Sequence, residues 1–129
     1  METITAIFVE PGKPARLIEI ENTFQAKRSL VEGDIEISMP FEDQELAIVS
    51  NDSAKLKGLE LNRAIFDRNR HLIDIIAGKF LLCYQPLTAD RFASFPEETA
   101  KKYLELFECP HVFSRTAEGG ITITAHKPA

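Results

Sequence analysis

The stretch TITAIFVEPGKPARLIEIE, residues 3–21, decides the fold of this chain. Its first part is predicted to be a strand that is apolar on both faces, since Ile4 and Phe8 share one face whereas Ile7 lies on the other. Pro-Gly-Lys-Pro at 11–14 breaks that strand, and the alternating stretch after it indicates a second one. The sequence therefore predicts a hairpin whose first strand is covered on both sides.

A short helix and a second pair of strands are predicted to follow the hairpin. Asn22 is expected to cap the helix, with Gln25 in the capping-box position, and Gly33 is expected to end it. Residues 34–39 and 45–50 are rich in apolar and β-branched side chains and are separated by turn-forming residues, which predicts that they pair.

Another hairpin is predicted from residues 55–66 and 72–76, with its turn at 68–69. A turn centred there places Arg63 opposite Asp74, so the sequence predicts a cross-strand ion pair between them. Such a pair contributes about 0.2–1 kcal/mol and needs no functional purpose.

The last long helix is predicted from its start signals and its apolar spacing. Ser94 and Glu97 fit a capping box. Tyr103, Leu104 and Phe107 recur at helical spacing and are expected to form the buried stripe of the helix.

The C-terminal segment offers two alternatives. Residues 121–124 are a strand if they pair and part of a frayed tail over 115–129 if they do not. Together the elements predict an α+β fold, a single domain over residues 1–129 with a largely antiparallel sheet and two helices packed against it.

The composition is that of a small acidic protein with a sizeable core, since its 129 residues carry a net charge of −5 and are 44% hydrophobic. Cys83 and Cys109 form no spaced framework, which favours a reducing compartment.

The N-terminal residues do not resemble a signal peptide, and the longest apolar stretch, 75–84, is shorter than the ~20 residues that span a bilayer. We expect a cytoplasmic protein with no membrane partner, and the acidic total disfavours nucleic acid as a partner.

Acidic residues are concentrated between Ser29 and Ala54, where seven acids occur without a base. Glu42, Asp43 and Glu45 are the candidates for contact with a basic protein partner. The alternative is that these carboxylates are the ordinary solvated faces of strands, and mixed surface charge of small domains favours it.

The sequence contains no complete motif for catalysis or for cofactor binding. The segment 77–80 lacks the glycine and the hydroxyl residue of a phosphate-binding loop. Cys109 and His111 are close in sequence, but no metal-ligand spacing recurs, and a nucleophilic pair would depend on the fold. We therefore expect no metal, no cofactor and no catalytic residues.

One polar group could bind an anion. A guanidinium held by a carboxylate, here Arg63 with Asp74, grips phosphate or carboxylate groups. The Asn62 amide and the backbone amides near Gly78 would add donors. The alternative is that these residues only stabilise the hairpin.

Five segments carry a family resemblance: VEPGK at 9–13, EIENT at 19–23, GDIE at 33–36, GLELNRA at 58–64 and DIIAGKF at 74–80. In this order, over roughly residues 4 to 113, the chain resembles the family known as domain of unknown function three-eight-four-six. The resemblance implies a small protein of phages and conjugative elements. It also implies a common site at Asn62, Arg63, Asp74 and Gly78, although Lys79 departs from the family pattern.

Three hypotheses follow from these observations. The leading one is a non-catalytic binding module that acts on a protein partner by stoichiometric contact. The alternative is a small-molecule binder, or minor enzyme, that holds an anionic, nucleotide-like ligand through Asn62, Arg63 and Asp74. The third is a homodimer that pairs through residues 121–124.

Overall fold

Strands dominate the protein, whose computed structural model describes residues 2–125. In chain order the elements over these residues are β1 (Thr3–Val9), β2 (Arg16–Glu21), α1 (Phe24–Val31), β3 (Ile35–Ser38), β4 (Leu46–Asn51), β5 (Leu61–Phe66), β6 (Leu72–Ala77), β7 (Phe80–Tyr84), α2 (Glu97–Leu106), β8 (His111–Arg115) and β9 (Ile121–Ala125). Five strands form an antiparallel sheet in the order β2-β1-β7-β4-β3, and β5-β6 and β8-β9 form separate hairpins. The predicted α+β class is confirmed.

The inner strands of the sheet are covered on both faces, as the N-terminal stretch predicts. In β1, Ile7 and Val9 belong to one apolar cluster, while Ile4 and Phe8 belong to the other. Helix α1 contributes Leu30 to the second cluster. The first cluster is closed by α2 and by the β5-β6 hairpin. Both predicted strand pairs, β1 with β2 and β3 with β4, are present.

The register of the β5-β6 hairpin differs from the prediction. Arg63 lies opposite Ile76, and Asp74 lies opposite Ile65, so the predicted ion pair is wrong. The cause is the loop, where the Asp67 carboxylate accepts hydrogen bonds from the backbone N–H groups of residues 69 and 71, both at 2.8 Å. This wider loop, together with register irregularities at both ends of β5, moves the strands past each other.

Both predicted capping boxes are wrong. Thr23, not Asn22, caps α1, since its hydroxyl accepts from the N–H of Ala26 at 3.1 Å. At α2 no side chain caps the helix, and Ser94 instead accepts the backbone N–H of Thr5 at 3.0 Å, which holds the helix entry against β1. Neither helix described here, of 8 and 10 residues, is long and apolar enough to cross a membrane.

The end of α1 also differs from the prediction. Glu32 takes the left-handed conformation, with φ 63°, in place of Gly33. Gly33 is required for another reason, because a Cβ atom there would lie 2.7 Å from the amide nitrogen of Asn51. Asn51 uses that amide to bond the carbonyl of Val31 at 3.1 Å, so the glycine lets β4 approach the helix end.

The C-terminal alternatives are resolved in favour of pairing. Strands β8 and β9 pair over five positions, from His111 with Ala125 to Arg115 with Ile121. Most of their side chains are exposed. Positions 126–129 of the predicted tail lie outside the described residues.

The register of β5 and β6 is testable by a disulfide. The N–H of Ala64 bonds His111 and so points away from β6, which makes Ala64 and Ile75 a non-hydrogen-bonded pair with close side chains. In a Cys109→Ser background, Ala64→Cys with Ile75→Cys is expected to oxidise readily to an intramolecular disulfide, measured by thiol labelling and mass spectrometry. Ala64→Cys with Ile73→Cys, the pair that the sequence-based register would join, should stay reduced; preferential oxidation of this second pair would contradict the observed register.

Candidate functional site

Arg63 is buried among carbonyl oxygens. Its side chain has no solvent exposure, and its guanidinium donates to the Asn62 side-chain oxygen at 2.8 Å and to the backbone oxygen of Phe107 at 3.0 Å. The backbone oxygen of Lys13 is a further acceptor. Within residues 2–125 no carboxylate pairs with this guanidinium, and its Nε atom has no acceptor.

Two features of the surroundings compensate this buried charge. Phe107 is the C-cap of α2, so the guanidinium lies at the partially negative end of the helix dipole. Burial lowers the pKa of Arg63 to about 10, and the negative charge of a Cys109 thiolate would act in the opposite direction. Since even this lowered pKa is far above neutrality, the side chain is a buried cation held by carbonyl dipoles.

Asn62 extends these contacts to two other parts of the chain. It is also fully buried, and its amide donates to the carbonyl of Val9 at 2.9 Å and to that of Gly78 at 2.8 Å. We call Asn62, Arg63 and their hydrogen bonds the Asn62–Arg63 network. It joins the end of β1, the loop before β2, the turn between β6 and β7 and the end of α2.

The four residues predicted to bind an anion are therefore only partly brought together. Asn62, Arg63 and Gly78 belong to one network, whereas Asp74 lies at the surface and pairs with Lys55 at 2.9 Å. Apart from Nε of Arg63, the side-chain donors of the network already bond protein oxygens, so an anion would have to displace these oxygen atoms. Binding of an anionic ligand by these residues stays a prediction.

The acidic candidates lie together before β4 and are also engaged within the protein. Glu42 contacts Arg68, and Asp43 accepts from the hydroxyl of Tyr103 at 3.3 Å. Glu45 accepts from the hydroxyl of Tyr84 at 2.9 Å. These contacts fasten the acidic loop, residues 42–45, to the sheet and to one side of α2. Its contact with a protein partner stays a prediction.

The acidic loop helps to raise the pKa values of the two tyrosines that bond it, Tyr84 and Tyr103. Burial, with the charge and hydrogen bond of Asp43, raises the pKa of Tyr103 to about 12. The hydrogen bond to Glu45 is the main cause of a raised pKa at Tyr84. Both phenols are therefore neutral donors at physiological pH and anchor the loop.

One ring nitrogen of His111, which is close to Cys109 in sequence, is already engaged within the fold. The Nδ1 atom of His111 accepts the backbone N–H of Ala64 at 2.9 Å, and its ring lies edge-on to Phe66 and Phe113. Burial, aided by the positive charge of Arg63, lowers the pKa of His111. The imidazole thus fastens β8 to β5. Over residues 2–125 no three His, Cys, Asp or Glu side chains come together as a metal site.

A groove between β2 and α2 was not predicted from the sequence. Its volume is ≈ 820 Å³. Its lining is made by β1, the start of β2, the segment before α2 and one side of α2: Thr5, Pro14, Ala15, Arg16, Leu17, Phe95, Glu97, Ala100, Lys101, Leu104, Glu105 and Glu108. The predicted buried stripe of the helix includes Leu104, which is half-buried: it packs against the first apolar cluster and also lines this groove, as does the 46% exposed Leu17. Two adjacent apolar residues in an edge strand, Leu17 and Ile18, were the available sequence signal.

Comparison with known proteins identifies one family. A family model described as "Domain of unknown function (DUF3846)" matches residues 4–108, which cover the central sheet, the β5-β6 hairpin and both helices and exclude β8 and β9. No curated protein and no solved structure matches the chain.

Replacement of Arg63 tests the network against the predicted ion pair. Arg63→Met leaves buried carbonyl oxygens without their donor, so it is expected to lower the free energy of unfolding by about 2–4 kcal/mol. Asp74→Asn breaks only the exposed contact with Lys55 and should cost less than about 1 kcal/mol. Urea denaturation of both variants measures the difference; equal losses would contradict the separation of Arg63 from Asp74.

His111 is expected to make stability depend on pH. Its pKa in the folded protein is below the ordinary value of 6.5, so between these two values the unfolded chain binds more protons. The His111 contribution is therefore complete above pH 6.5 and is lost as the pH falls towards the folded pKa. Denaturation of the wild type and of His111→Gln at several pH values between about 7.5 and 5 measures it. An unchanged pH dependence in the variant would exclude His111 as the source.

Proposed function

We propose a function for this chain, which belongs to the DUF3846 family, a family whose description assigns no activity. The protein is a non-catalytic module that binds a protein partner in the groove between β2 and α2. The observation that carries this proposal is the groove itself. Its ≈ 820 Å³ are within the range of about 300–1,000 Å³ that is typical of binding pockets.

The chemistry of the groove favours the capture of apolar side chains. Leu17 on β2 and Leu104 on α2 both line it, together with the buried Phe95 and Ala100. Contiguous exposed apolar surface with a polar rim is typical of protein interaction sites. The charged groups of the lining lie on and just after α2 and at the start of β2, where they can select the partner by charge.

The setting of this interaction is part of the proposal. We place it in the cytoplasm, because both cysteines, Cys83 and Cys109, are unpaired. The resemblance to proteins of phages and conjugative elements suggests a partner that such an element must modulate. The net charge of −5 favours a basic partner over nucleic acid.

Site-specific photocrosslinking tests the proposed face. A benzophenone amino acid at Leu104 is expected to capture a partner of discrete mass from a lysate of cells that express the protein. The same group at Leu56, which is 93% exposed and distant from α2 in sequence, is the matched control. A third position, Glu42, samples the acidic loop.

The pattern of adducts decides the outcome. Capture at Leu104 that exceeds capture at Leu56 supports the groove. In a second experiment the crosslinker stands at a neighbouring position of the groove, and Leu104→Glu is expected to abolish its capture of the partner. Capture at Glu42 alone would move the binding surface to the acidic loop. Equal capture at all three positions, or capture at none of them, would contradict the proposal.

A further inference from the structure

Resting on the proposed function, we infer that the occupant of the groove is an extended segment of a partner protein that adds to β2 as a sixth, antiparallel strand and presents a Lys/Arg-x-apolar sequence. Strand addition is one of the recurrent ways in which peptides bind to sheet edges beside a groove.

The backbone of β2 is available for this pairing. The sheet order leaves β2 at an edge, bonded to β1 alone. The N–H of Thr5 points away from β2, because it bonds Ser94, so Thr5 and its partner Glu19 are a non-hydrogen-bonded pair. Glu19, and Leu17 two residues before it, therefore direct their N–H and C=O groups to the open edge. No hydrogen bond to these outward groups is made elsewhere in residues 2–125.

The same two residues have their side chains on the groove face. Leu17 lies opposite Ile7, which belongs to the apolar cluster beneath α2, and Glu19 lies opposite Thr5, which lines the groove. Residues of an added strand that exchange hydrogen bonds with Leu17 and Glu19 place their own side chains on that face as well. Two positions of the partner, separated by one residue, therefore point into the groove.

The charges around these positions specify the two side chains. The position beside Leu17 enters the groove that Leu104 also lines and takes an apolar side chain. The position beside Glu19 meets a carboxylate, and because the added strand is antiparallel this position comes first in the partner. A lysine or arginine at that position satisfies the carboxylate.

The rim of the groove adds to the preference for a basic partner. Three carboxylates on and just after α2, Glu97, Glu105 and Glu108, line the groove, and none of them forms an ion pair within residues 2–125. Of the two cations, Arg16 is paired with Glu10 at 3.2 Å, which leaves Lys101. The same excess of carboxylates disfavours a second copy of this chain as the occupant, since it would bring like charges together.

The probe for this inference is a phage-displayed library of random peptides of about twelve residues, long enough to exceed the six residues of β2. Selection on the full chain is expected to enrich Lys/Arg-x-apolar sequences. The enriched peptide is then synthesised with single N-methyl groups along its backbone. Loss of affinity of about tenfold at every second residue, with the residues between unaffected, identifies strand addition, because an N-methyl group removes only the hydrogen bonds that face β2.

Variants of the protein provide the matched comparison. Glu19→Pro removes the outward N–H and is expected to weaken the peptide about tenfold, and Glu19→Lys should do the same through charge. Glu36→Lys, at an exposed glutamate of the opposite edge strand β3, should leave the affinity unchanged. The N-methyl series does not depend on whether the proline variant folds.

The results separate this inference from the proposed function. Groove-dependent crosslinking together with peptides that show helical spacing, or an N-methyl series without alternation, would overturn strand addition and leave the binding module intact. A library without binders, or a dimer in light scattering that Glu19→Lys dissociates, would also overturn the inference. Failure of crosslinking at Leu104 would remove the proposed function on which it rests.

Discussion

The buried guanidinium of Arg63 joins segments that are far apart in the chain. A cation that is removed from water must be compensated, and here carbonyl oxygens from distant parts of the chain provide the compensation. The carbonyl of Phe107 accepts from Arg63 and also from the N–H of Ala15, at 3.2 Å. One oxygen atom thus fixes the end of α2 against both the β5-β6 hairpin and the start of β2. Because α2 and β2 form the walls of the groove, this carbonyl, which Arg63 also holds, fixes the spacing of the two walls at one end of the groove.

A second buried cation lies on the opposite face of the sheet. Lys27 is 5% exposed and donates to the side-chain oxygen of Asn22 at 3.0 Å and to the carbonyl of Thr23 at 3.2 Å. Burial lowers its pKa. The charged side chains buried in residues 2–125, Lys27 and Arg63, are thus both cations. The surface is consequently more acidic than the net charge of −5 indicates, which strengthens the argument for a basic partner.

Helix α2 separates two acidic regions that differ in chemistry. On one side, Asp43 and Glu45 of the acidic loop accept hydrogen bonds from tyrosine hydroxyls and Glu42 contacts Arg68, so the carboxylates of this loop are engaged within the fold. On the other side, the rim carboxylates remain beside an apolar groove and a free strand edge. The acidic loop can be recognised in the sequence because its charges are contiguous along the chain. The rim charges are spaced along one helix face, and their relation to β2 becomes visible only after α2 has packed on the sheet.

Alternation and breakers in the sequence suffice to predict the first hairpin, the β3-β4 pair and the α+β class, because these signals act over a few neighbouring residues and report burial directly. Tertiary structure alone decided the register of β5 and β6, which depends on how the Asp67 side chain closes its loop. It also decided the role of Arg63, whose acceptors lie 50 and 44 residues away in the chain. Local patterns specify which face of an element is buried. They contain no information about which distant carbonyl will bond a buried charge, and none about which surfaces stay uncovered once the elements have packed.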